Sequence, residues 1–290
     1  MSSLAGVSIR EMTLSDIPAG LALCRASRWN QTERDWRHFL AAAPRGALVA
    51  VENGLVVGTV ATLPYGPFTW ISMVLVHPAA RGRGIGTLLL NRGLELVPRG
   101  SVARLDATPA GEVIYRKLGF TGEYGIARLF LDASRAPKPS RSPRTASGVR
   151  PLGKDDWSTL LDADAGAFGA SRAGLLAELA AGAPEYAWVD EQDGRLRGYL
   201  LGRHGHVREQ LGPLVADSAE TATRVLEACL AANTGRQVFI DVPDEQRAFR
   251  ETLARRGFAI ERPFLRMHRG PLTAPGRPAH VYAITGPEFG

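Results

Sequence analysis

The chain is short of cysteine and of long apolar runs, and each shortage excludes a class of protein. Its two cysteines, Cys24 and Cys229, lie far apart in the sequence, so they predict neither a disulfide framework nor a metal cluster. We expect both to pack as small apolar side chains in a reducing cytoplasm. The sequence contains no run of about 18 apolar residues, so it does not predict a membrane span. Residues 1–13 lack the basic and apolar regions of a secretory signal, and we therefore expect a cytoplasmic protein.

The composition that remains is that of a globular protein, with 45% apolar and 22% charged residues. The net charge of +6 is unevenly distributed. Residues 1–130 hold 14 Lys and Arg against 9 Asp and Glu, whereas residues 151–290 hold 16 against 19. A basic first half suits an anionic ligand, and an acidic second half suits either a cationic substrate or an ordinary solvated surface. The basic residues are not interleaved with aromatic ones, which disfavours nucleic-acid binding.

A segment rich in Pro, Ser and Arg divides the chain at residues 133–149. Because it has no apolar periodicity, it predicts an extended connection rather than part of a core. The flanking parts are each long enough to bury a core of their own. We therefore predict one domain at residues 1–132 and a second at residues 150–290.

The first domain reads as alternating strands and helices. Two β-rich runs meet at Asn53-Gly54, the residue pair that favours a tight hairpin turn. Ser15 is the predicted N-cap of the first helix. The predicted elements are a strand at 7–13, helices at 15–29 and 33–43, strands at 47–54, 55–66 and 69–76, a helix at 84–97, a strand at 103–108, a helix at 111–118 and final strands in 120–132. This order predicts an α/β fold with antiparallel strands early and a strand–helix–strand–helix unit later.

The second domain repeats this order of elements. It has a hairpin at 186–203, a strand at 207–216, a helix at 219–232, a strand at 238–242 and a helix at 245–256. In both halves a late helix ends in a Gly-Phe pair, at Lys117–Phe120 and at Arg255–Phe258. We interpret the chain as an internal duplication of one fold whose two copies have diverged in chemistry.

The most informative stretch lies between Val74 and Thr87, where a buried strand runs into a Gly-rich turn that opens a helix. The first turn of a helix leaves backbone N–H groups unpaired, and the helix dipole adds partial positive charge there. Arg81 and Arg83 can add charge-assisted hydrogen bonds. Together these features predict a cradle for a diphosphate. Neither the dinucleotide-binding spacing of glycines nor the Gly-Lys-Ser/Thr of a P-loop is present.

The arginine at 81, followed by Gly84 and Gly86 after the strand V-L-V-H-P, resembles the acetyl-CoA motif of the GNAT N-acetyltransferase superfamily. Residues 108–120 resemble that family's later A-x-x-x-Y-x-x-x-G-F region. The similarity covers residues 7–132. It implies two tandem GNAT-like domains, each a twisted, mostly antiparallel sheet with helices on both faces.

The resemblance also implies roles for single residues. The backbone of the strand would pair with the pantetheine amides, and the N–H groups of the turn would hold the pyrophosphate. Tyr115 stands where such enzymes protonate the departing CoA thiolate, and a tyrosine hydroxyl is a reasonable general acid. The expected cofactor-binding residues are Val74, Leu75, Val76, Arg81, Gly82, Arg83, Gly84, Ile85, Gly86, Thr87 and Thr108. Thr108 replaces the asparagine that is frequent in the family.

No general base can be assigned from the sequence. The strand that precedes the Gly-rich turn holds no carboxylate, unlike a familiar pattern in the family. The open alternatives are Glu112, Glu123, and a water relay past Ser72 or His77. For each of them a surface or core role is the simpler interpretation.

The second half lacks the Arg-x-x-Gly-x-Gly motif in the matching position, residues 210–217, and Gly212-Pro213 is expected to break its strand. It resembles the degenerate GNAT-like C-terminal domain of tandem bacterial acetyltransferases. We hypothesise that it completes an acceptor pocket. The candidate substrate-binding residues are Asp162, Asp164, Glu209 and Asp241, with Trp188 or Phe168 as walls. His204 and His206 have no third ligand at useful spacing, so no metal is expected.

The sequence therefore predicts an acetyl-CoA-dependent N-acetyltransferase that modifies a primary amine of a small molecule. Direct attack of the neutral amine on the thioester is the expected reaction. A protein or peptide N-acetyltransferase and a non-catalytic acyl-CoA sensor remain alternatives. No metal, nucleic acid or membrane is expected as a partner, and both a monomer and a homodimer are compatible with the sequence.

Overall fold

A computed structural model describes residues 4, 6–132 and 148–290. The predicted connection at 133–149 therefore lies outside the described residues, except for its last two. The helices are α1 (Ile17–Ala26), α2 (Glu33–Ala42), α3 (Ile85–Glu95), α4 (Pro109–Lys117), α5 (Trp157–Phe168), α6 (Ala173–Gly182), α7 (Ala219–Ala232) and α8 (Arg247–Arg255). The strands are β1 (Val7–Glu11), β2 (Ala47–Glu52), β3 (Leu55–Pro64), β4 (Phe68–Val76), β5 (Val102–Ala107), β6 (Thr121–Leu131), β7 (Val149–Pro151), β8 (Trp188–Gln192), β9 (Arg195–Arg203), β10 (Glu209–Ala216), β11 (Val238–Pro243), β12 (Ala259–Arg269) and β13 (Val281–Ala283).

Most predicted elements are present, with shifts at their ends. The Asn53-Gly54 hairpin is confirmed, since both residues have the positive φ that a tight hairpin turn needs. The Ser15 N-cap is wrong. Thr13 caps a short 3₁₀ turn instead, and Asp16 accepts hydrogen bonds from the backbone N–H and the hydroxyl of Thr13. Helix α1 consequently begins at Ile17. No described helix is both long and apolar enough to cross a bilayer.

The strands form one 13-stranded mixed sheet, in the order β1-β2-β3-β4-β5-β12-β6-β11-β10-β9-β8-β7, with β13 beside β10. Among the described strands, neighbours are antiparallel except for β4 with β5 and β10 with β11. The prediction of an α/β fold with a mostly antiparallel sheet is confirmed. The sheets of the two halves are continuous with each other rather than separate.

The two halves are joined because each contributes a long strand to the other. Strand β12 of the second half lies between β5 and β6 of the first half. Strand β6 of the first half pairs in turn with β11 of the second half. Along the order of strands in the sheet, neighbouring strands therefore change from one half to the other three times. The domain boundaries at residues 132 and 150 stay a prediction from the sequence, because β6 and β12 each lie beside strands of the other half.

This exchange predicts that the first half will not fold alone. In a fragment of residues 1–132, β5 and β6 would lose their shared neighbour β12 and expose long unpaired edges. We expect the fragment to aggregate, and we expect co-expression with residues 148–290 to restore a soluble complex. Size-exclusion chromatography and circular dichroism test this. A soluble fragment that unfolds cooperatively on its own would contradict the exchange.

Helices cover both faces of the sheet, and alternate strand residues point to each face. On β2, Ala47 and Val49 join the core beneath α1, α2, α5 and α6, whereas Leu48 and Ala50 join the core beneath α3. Helices α7 and α8 cover a third core in the second half. The core on the first face is shared by both halves, so the domain interface is itself a hydrophobic core.

A repeated ion pair supports the inferred duplication. Arg10 of β1 donates two hydrogen bonds to Asp16, at 2.7 and 2.8 Å. Arg150 of β7 donates two to Asp156, with the same atoms and distances. In each half the carboxylate also accepts a hydrogen bond from the backbone N–H of the residue before the 3₁₀ turn, Thr13 or Gly153. Its arginine holds the pKa of Asp16 well below its usual range. An Arg-x₅-Asp spacing in both halves is a sequence signal of the repeat.

Candidate functional site

A cavity of about 720 Å³ lies where β4 and β5 separate. These parallel strands pair only from Phe68 to Trp70 on β4, opposite Val102 to Arg104 on β5. Beyond Trp70, the side of β4 that faces β5 has no partner strand among the described residues. The cavity is lined by β4, the N-terminal turn of α3, helix α4 and the loop between α1 and α2. Parts of β6, β12 and the last described segment close it.

A β-bulge in β4 widens this separation. Met73 has a φ of 53°, and the pairing with β3 shifts register between Thr59 and Ala61. The Thr59 hydroxyl donates a 2.7 Å hydrogen bond to the Met73 carbonyl, which fixes the distorted strand. A bulge bends its strand and increases the local twist. This bulge could not be predicted from the sequence, because a positive φ is uncommon for methionine.

The Gly-rich turn presents unpaired amides to the cavity. The chain reaches α3 through Gly82 and Gly84, with φ of 78° and 85°, and a Cβ on either residue would meet no atom within 4 Å. In the described part of the chain, the N–H groups of residues 82–87 donate no hydrogen bond, and the first bond into the helix runs from Leu88 to the Gly84 carbonyl. Unpaired N–H groups with open space before them suit an anion, and the helix dipole favours one.

The two arginines of the turn have different surroundings. Arg81 lines the cavity, where its Nε donates to the Val76 carbonyl at 3.0 Å and no carboxylate pairs with it in the described chain. Arg83 points away and forms a bidentate ion pair with Glu52. Of the residues that the sequence suggested for the cofactor, Arg83 is therefore the one that the structure places outside the cavity lining.

Helix α4 forms the opposite wall. Tyr115 lines the cavity, and burial raises the pKa of its hydroxyl to about 12. This hydroxyl has no hydrogen-bond partner among the described residues. Thr108 also lines the cavity, but its side chain caps α4 by accepting a hydrogen bond from the Gly111 N–H at 3.2 Å. Thr108 is thus a capping residue first, and only its outer surface faces the cavity.

The equivalent place in the second half is filled by the chain itself. Strands β10 and β11 pair in parallel from Glu209 to Leu211, and β13 then pairs antiparallel with Leu214 and Val215 of β10. The edge that stays open on β4 is therefore occupied on β10. Helix α7 is capped by the Ser218 side chain, which accepts from the Thr221 N–H. Strand β10 continues through Gly212-Pro213, contrary to the predicted break, although its register shifts there.

None of the six acceptor candidates of the second half lines the cavity: Asp162, Asp164, Glu209, Asp241, Trp188 and Phe168. Asp162 is exposed on α5. Trp188 is buried in the core, and its indole N–H donates to the Glu185 carbonyl. Asp164 and Asp241 are fully buried and paired with arginines, so neither has free charge for a substrate. Their contacts instead support residues that reach the cavity.

Asp164 supports the segment at residues 284–290 through hydrogen bonds with Arg172. It accepts two hydrogen bonds from Arg172, at 2.9 and 3.0 Å. Arg172 donates in turn to the Thr285 hydroxyl and to the Gly290 carbonyl, both at 2.7 Å. Phe168 packs against the same guanidinium, 3.9 Å from its ring centroid. This network holds the segment against β4, where the Trp70 indole donates to the Pro287 carbonyl.

The second half supplies cavity residues that the sequence did not single out. Glu288 lines the cavity and pairs with Arg203, which also donates to Asp35 at 2.9 Å. Arg128 of β6 and Arg262 of β12 line it as well, and the two are register partners. For Arg128 the available signal was a charged residue within the apolar stretch Ile126–Leu131, because such residues are rarely buried without a function or a partner, whereas Arg262 lies in a strand with other charged residues and had no such signal.

The residues considered as a base are separated by the structure. Ser72 lines the cavity, and its hydroxyl is buried without a partner in the described chain. Glu112 pairs with Arg116, and Glu123 pairs with the buried Arg104. His77 accepts a hydrogen bond from the Ala79 N–H in the turn before α3. Only Ser72 of this group reaches the cavity lining.

His204, the first of the two histidines, has ordinary partners. His204 contacts Glu209 at 2.7 Å and Glu185 at 3.4 Å, and Glu209 also pairs with Arg236. Within residues 4, 6–132 and 148–290, no group of three or more His, Cys, Asp or Glu is arranged to hold a metal ion.

Two family models match the chain, both described as acetyltransferase (GNAT) domains, at residues 43–122 and 160–283. The chain belongs to the GNAT acetyltransferases, a family that uses acetyl-CoA, and it carries two GNAT domains in tandem. The curated relative is the uncharacterized N-acetyltransferase YitH of Bacillus subtilis (strain 168), which is 27% identical over 93% of this chain and 94% of that protein.

Solved structures show the same tandem fold. A protein from Pyrococcus horikoshii, described provisionally as an acetyltransferase, aligns with 100% of this chain and 98% of its own at a TM-score of 0.83 and 24% identity. A tandem GNAT protein from the clavulanic acid biosynthesis pathway aligns with 91% of this chain and 99% of its own, at a TM-score of 0.64 and 17% identity. The predicted family and fold are therefore confirmed.

Proposed function

We propose that the protein is an acetyl-CoA-dependent N-acetyltransferase that acetylates a primary amine of a small molecule. One arrangement carries the proposal: the unpaired amides of residues 82–87, the open edge of β4 and the Tyr115 hydroxyl all face a single cavity. The first suits a diphosphate, the second suits a ligand with amide groups, and the third suits a leaving group that needs a proton.

The residues present fit acetyl-CoA. The N–H groups of residues 82–87, with Arg81 beside them, would hold the pyrophosphate, and the backbone of Val74 to Val76 would pair with the pantetheine amides as an added strand. Acetyl-CoA supplies an activated acetyl group as a thioester. Because β13 occupies the corresponding edge of β10, we propose that only the first half binds it.

The transfer forms a carbon–nitrogen bond to the acetyl carbon and breaks the carbon–sulfur bond. The amine gives up one proton, and the departing sulfur gains one. A pKa of about 12 keeps Tyr115 protonated at neutral pH, so its hydroxyl can donate a hydrogen bond to the sulfur. A thiol has a pKa of about 8.5, so full transfer from Tyr115 is uphill unless the amine proton is relayed back to it. Ser72, whose hydroxyl is free, is the residue best placed to take part in that relay.

Coverage of the cavity by the second half supports a small acceptor. Arg262, Phe264, Pro287 and Glu288 of the second half contribute to the cavity lining. An extended peptide would need an open groove at that place, whereas a small molecule needs an enclosed pocket.

The test is an assay of acetyl transfer. The purified chain is mixed with acetyl-CoA and a panel of primary amines, thiol release is followed, and products are identified by mass spectrometry. We expect amine-dependent thiol release and a product heavier by one acetyl group. Tight acetyl-CoA binding without transfer to any amine or peptide would contradict the proposal and favour an acyl-CoA sensor. Transfer to peptides alone would contradict the small-molecule assignment.

A further inference from the structure

The wall of the cavity formed by β6 and β12 carries two cations in close register. Arg128 and Arg262 are opposite each other on these neighbouring strands. Both guanidinium groups flank the Phe264 ring, 5.2 and 5.3 Å from its centroid. Like charges directly opposite each other in an antiparallel pair are destabilising, so each cation needs a compensating anion.

Only Arg128 has a hydrogen-bonded anion. It donates two hydrogen bonds of 2.7 Å to Asp241, which is itself fully buried. Arg262 makes no hydrogen bond in the described chain, and its Nε is buried without a hydrogen-bond partner. Its carboxylate contact is a long one to Glu261, at 3.9 Å, and Glu261 is shared with Arg208, at 3.6 Å. Burial and the charge of Arg128 lower the pKa of Arg262, and Glu261 and Asp241 offset this only in part.

The same cavity has acceptor atoms that suit an amine. The Gln31 side-chain oxygen and the Ser72 hydroxyl are buried without partners, in side chains that are 5% and 8% exposed. Glu288 and Asp35 share the single cation Arg203, so this group of three carries a net negative charge. Buried polar groups without partners are costly, and two of them in the lining of one cavity indicate a missing ligand with complementary groups.

We propose, on the basis of the N-acetyltransferase function above, that the acceptor is an amine that also carries an anionic group, bound at Arg262. The anionic group is a carboxylate or a phosphate, since a guanidinium pairs with either in bidentate fashion. The amine lies toward Gln31, Ser72 and Glu288. This assignment replaces Asp164 and Asp241 as substrate-binding groups, because arginines already neutralise both.

The test uses pairs of amines that differ only in the anion. The pairs are leucine with leucinamide, 4-aminobutyrate with 4-aminobutyramide, and glucosamine 6-phosphate with glucosamine. Each compound is titrated calorimetrically into the CoA-saturated full-length protein, and its kcat/KM for acetylation is measured separately. We expect at least one anionic member to be preferred by roughly 30-fold, the loss typical of removing a charge-assisted hydrogen-bonded pair. The pair that shows the preference distinguishes a carboxylate from a phosphate.

Variants assign this preference to one side chain. Arg262→Gln should reduce it to about threefold or less, and Arg262→Lys should retain most of it, because lysine keeps the charge. Arg262→Met preserves the aliphatic stem beside Phe264 and serves if the glutamine variant is unstable. Arg269→Gln, on the exposed far end of β12, is the control and should change nothing. Acetyl-CoA affinity should stay unchanged in all four variants.

Two outcomes overturn the inference: anionic members that bind no better than their neutral partners, and a preference that survives removal of the Arg262 charge. The readouts also separate this inference from the function on which it rests. Arg262-dependent binding of anionic amines without any acetylation would refute the transferase function alone. Equal acetylation of both members of every pair would refute the anionic acceptor alone.

Discussion

Replacement of Gly86 by glutamate is expected to weaken acetyl-CoA binding by at least about 100-fold. Gly86 lies in the first turn of α3 and lines the cavity, and a Cβ there would meet only Val76, at an ordinary contact distance of 3.5 Å. The new side chain can therefore be accommodated, and its carboxylate would stand among the amides that receive the pyrophosphate. Two like charges about 4 Å apart cost about 4 kcal/mol near a protein surface, which corresponds to a large loss of affinity.

The matched control is Gly86→Gln, which has the same shape without the charge. We expect it to weaken binding by about tenfold or less, since only the size of the side chain acts against the ligand. Isothermal titration with acetyl-CoA measures both variants, and thermal unfolding shows whether each is folded. If glutamate and glutamine had the same effect, an electrostatic role for the α3 N-terminus would be refuted.

Replacement of Tyr115 by phenylalanine is expected to lower kcat by roughly 100-fold, the usual contribution of a general acid. The ring remains in contact with Phe120 and with α4, so the fold and the acetyl-CoA affinity should change little. Steady-state kinetics with any accepted amine gives kcat, and calorimetry gives the affinity. An unchanged kcat would exclude Tyr115 from the chemical step, whereas a change confined to acetyl-CoA affinity would make it a binding residue.

The pH dependence offers a second test of Tyr115. Burial raises its pKa to about 12, so the hydroxyl stays protonated through neutral and mildly alkaline pH. The rate should therefore rise with pH as the amine loses its proton, with no descending limb below about pH 10 from this residue. In a stopped assay at constant ionic strength, a fall in kcat between pH 8 and 9 that Tyr115→Phe abolishes would show that the hydroxyl titrates far lower.

Local patterns predicted the elements and many of the residues that line the cavity. The Asn-Gly hairpin, the strand before the Gly-rich turn and the helix that follows are all encoded within a few residues, so periodicity and turn chemistry were enough to find them. Ten of the eleven residues suggested for the cofactor line the cavity. Arg83 differs because its partner Glu52 comes from the β2–β3 hairpin, and a contact between distant segments leaves no local trace.

Features that depend on distant segments could not be predicted. Distant segments decide which strands lie beside β6 and β12 in the sheet. The alternation of apolar and polar residues in either strand would be the same in either half. The course of residues 281–290, which contact both halves, also depends on distant segments and could not be predicted. It fills the edge of β10 and then brings Glu288 to the cavity of the first half.

The pairing of charged side chains around the cavity could not be predicted from the sequence either. The second half has 19 acidic residues and 16 basic ones, and composition alone cannot say which are paired. Asp164 and Asp241 were candidate substrate ligands because an acidic second half suits a cationic substrate. The structure pairs each with a buried arginine, whereas Arg262 lines the cavity without a hydrogen bond, and its Nε is 3.9 Å from Glu261. The inferred acceptor therefore carries an anionic group besides its amine, which the acidic second half did not suggest.

Hydrogen exchange of the full-length chain, followed by mass spectrometry with and without acetyl-CoA, tests the central claim most directly. The account predicts that acetyl-CoA protects peptides covering residues 72–76 and 82–87, where the unpaired amides would gain partners. The equivalent peptides at residues 211–222 should not change, because β13 and Ser218 already occupy those positions. Protection of the second-half peptides instead, or exchange that acetyl-CoA leaves unaltered in both halves, would contradict it.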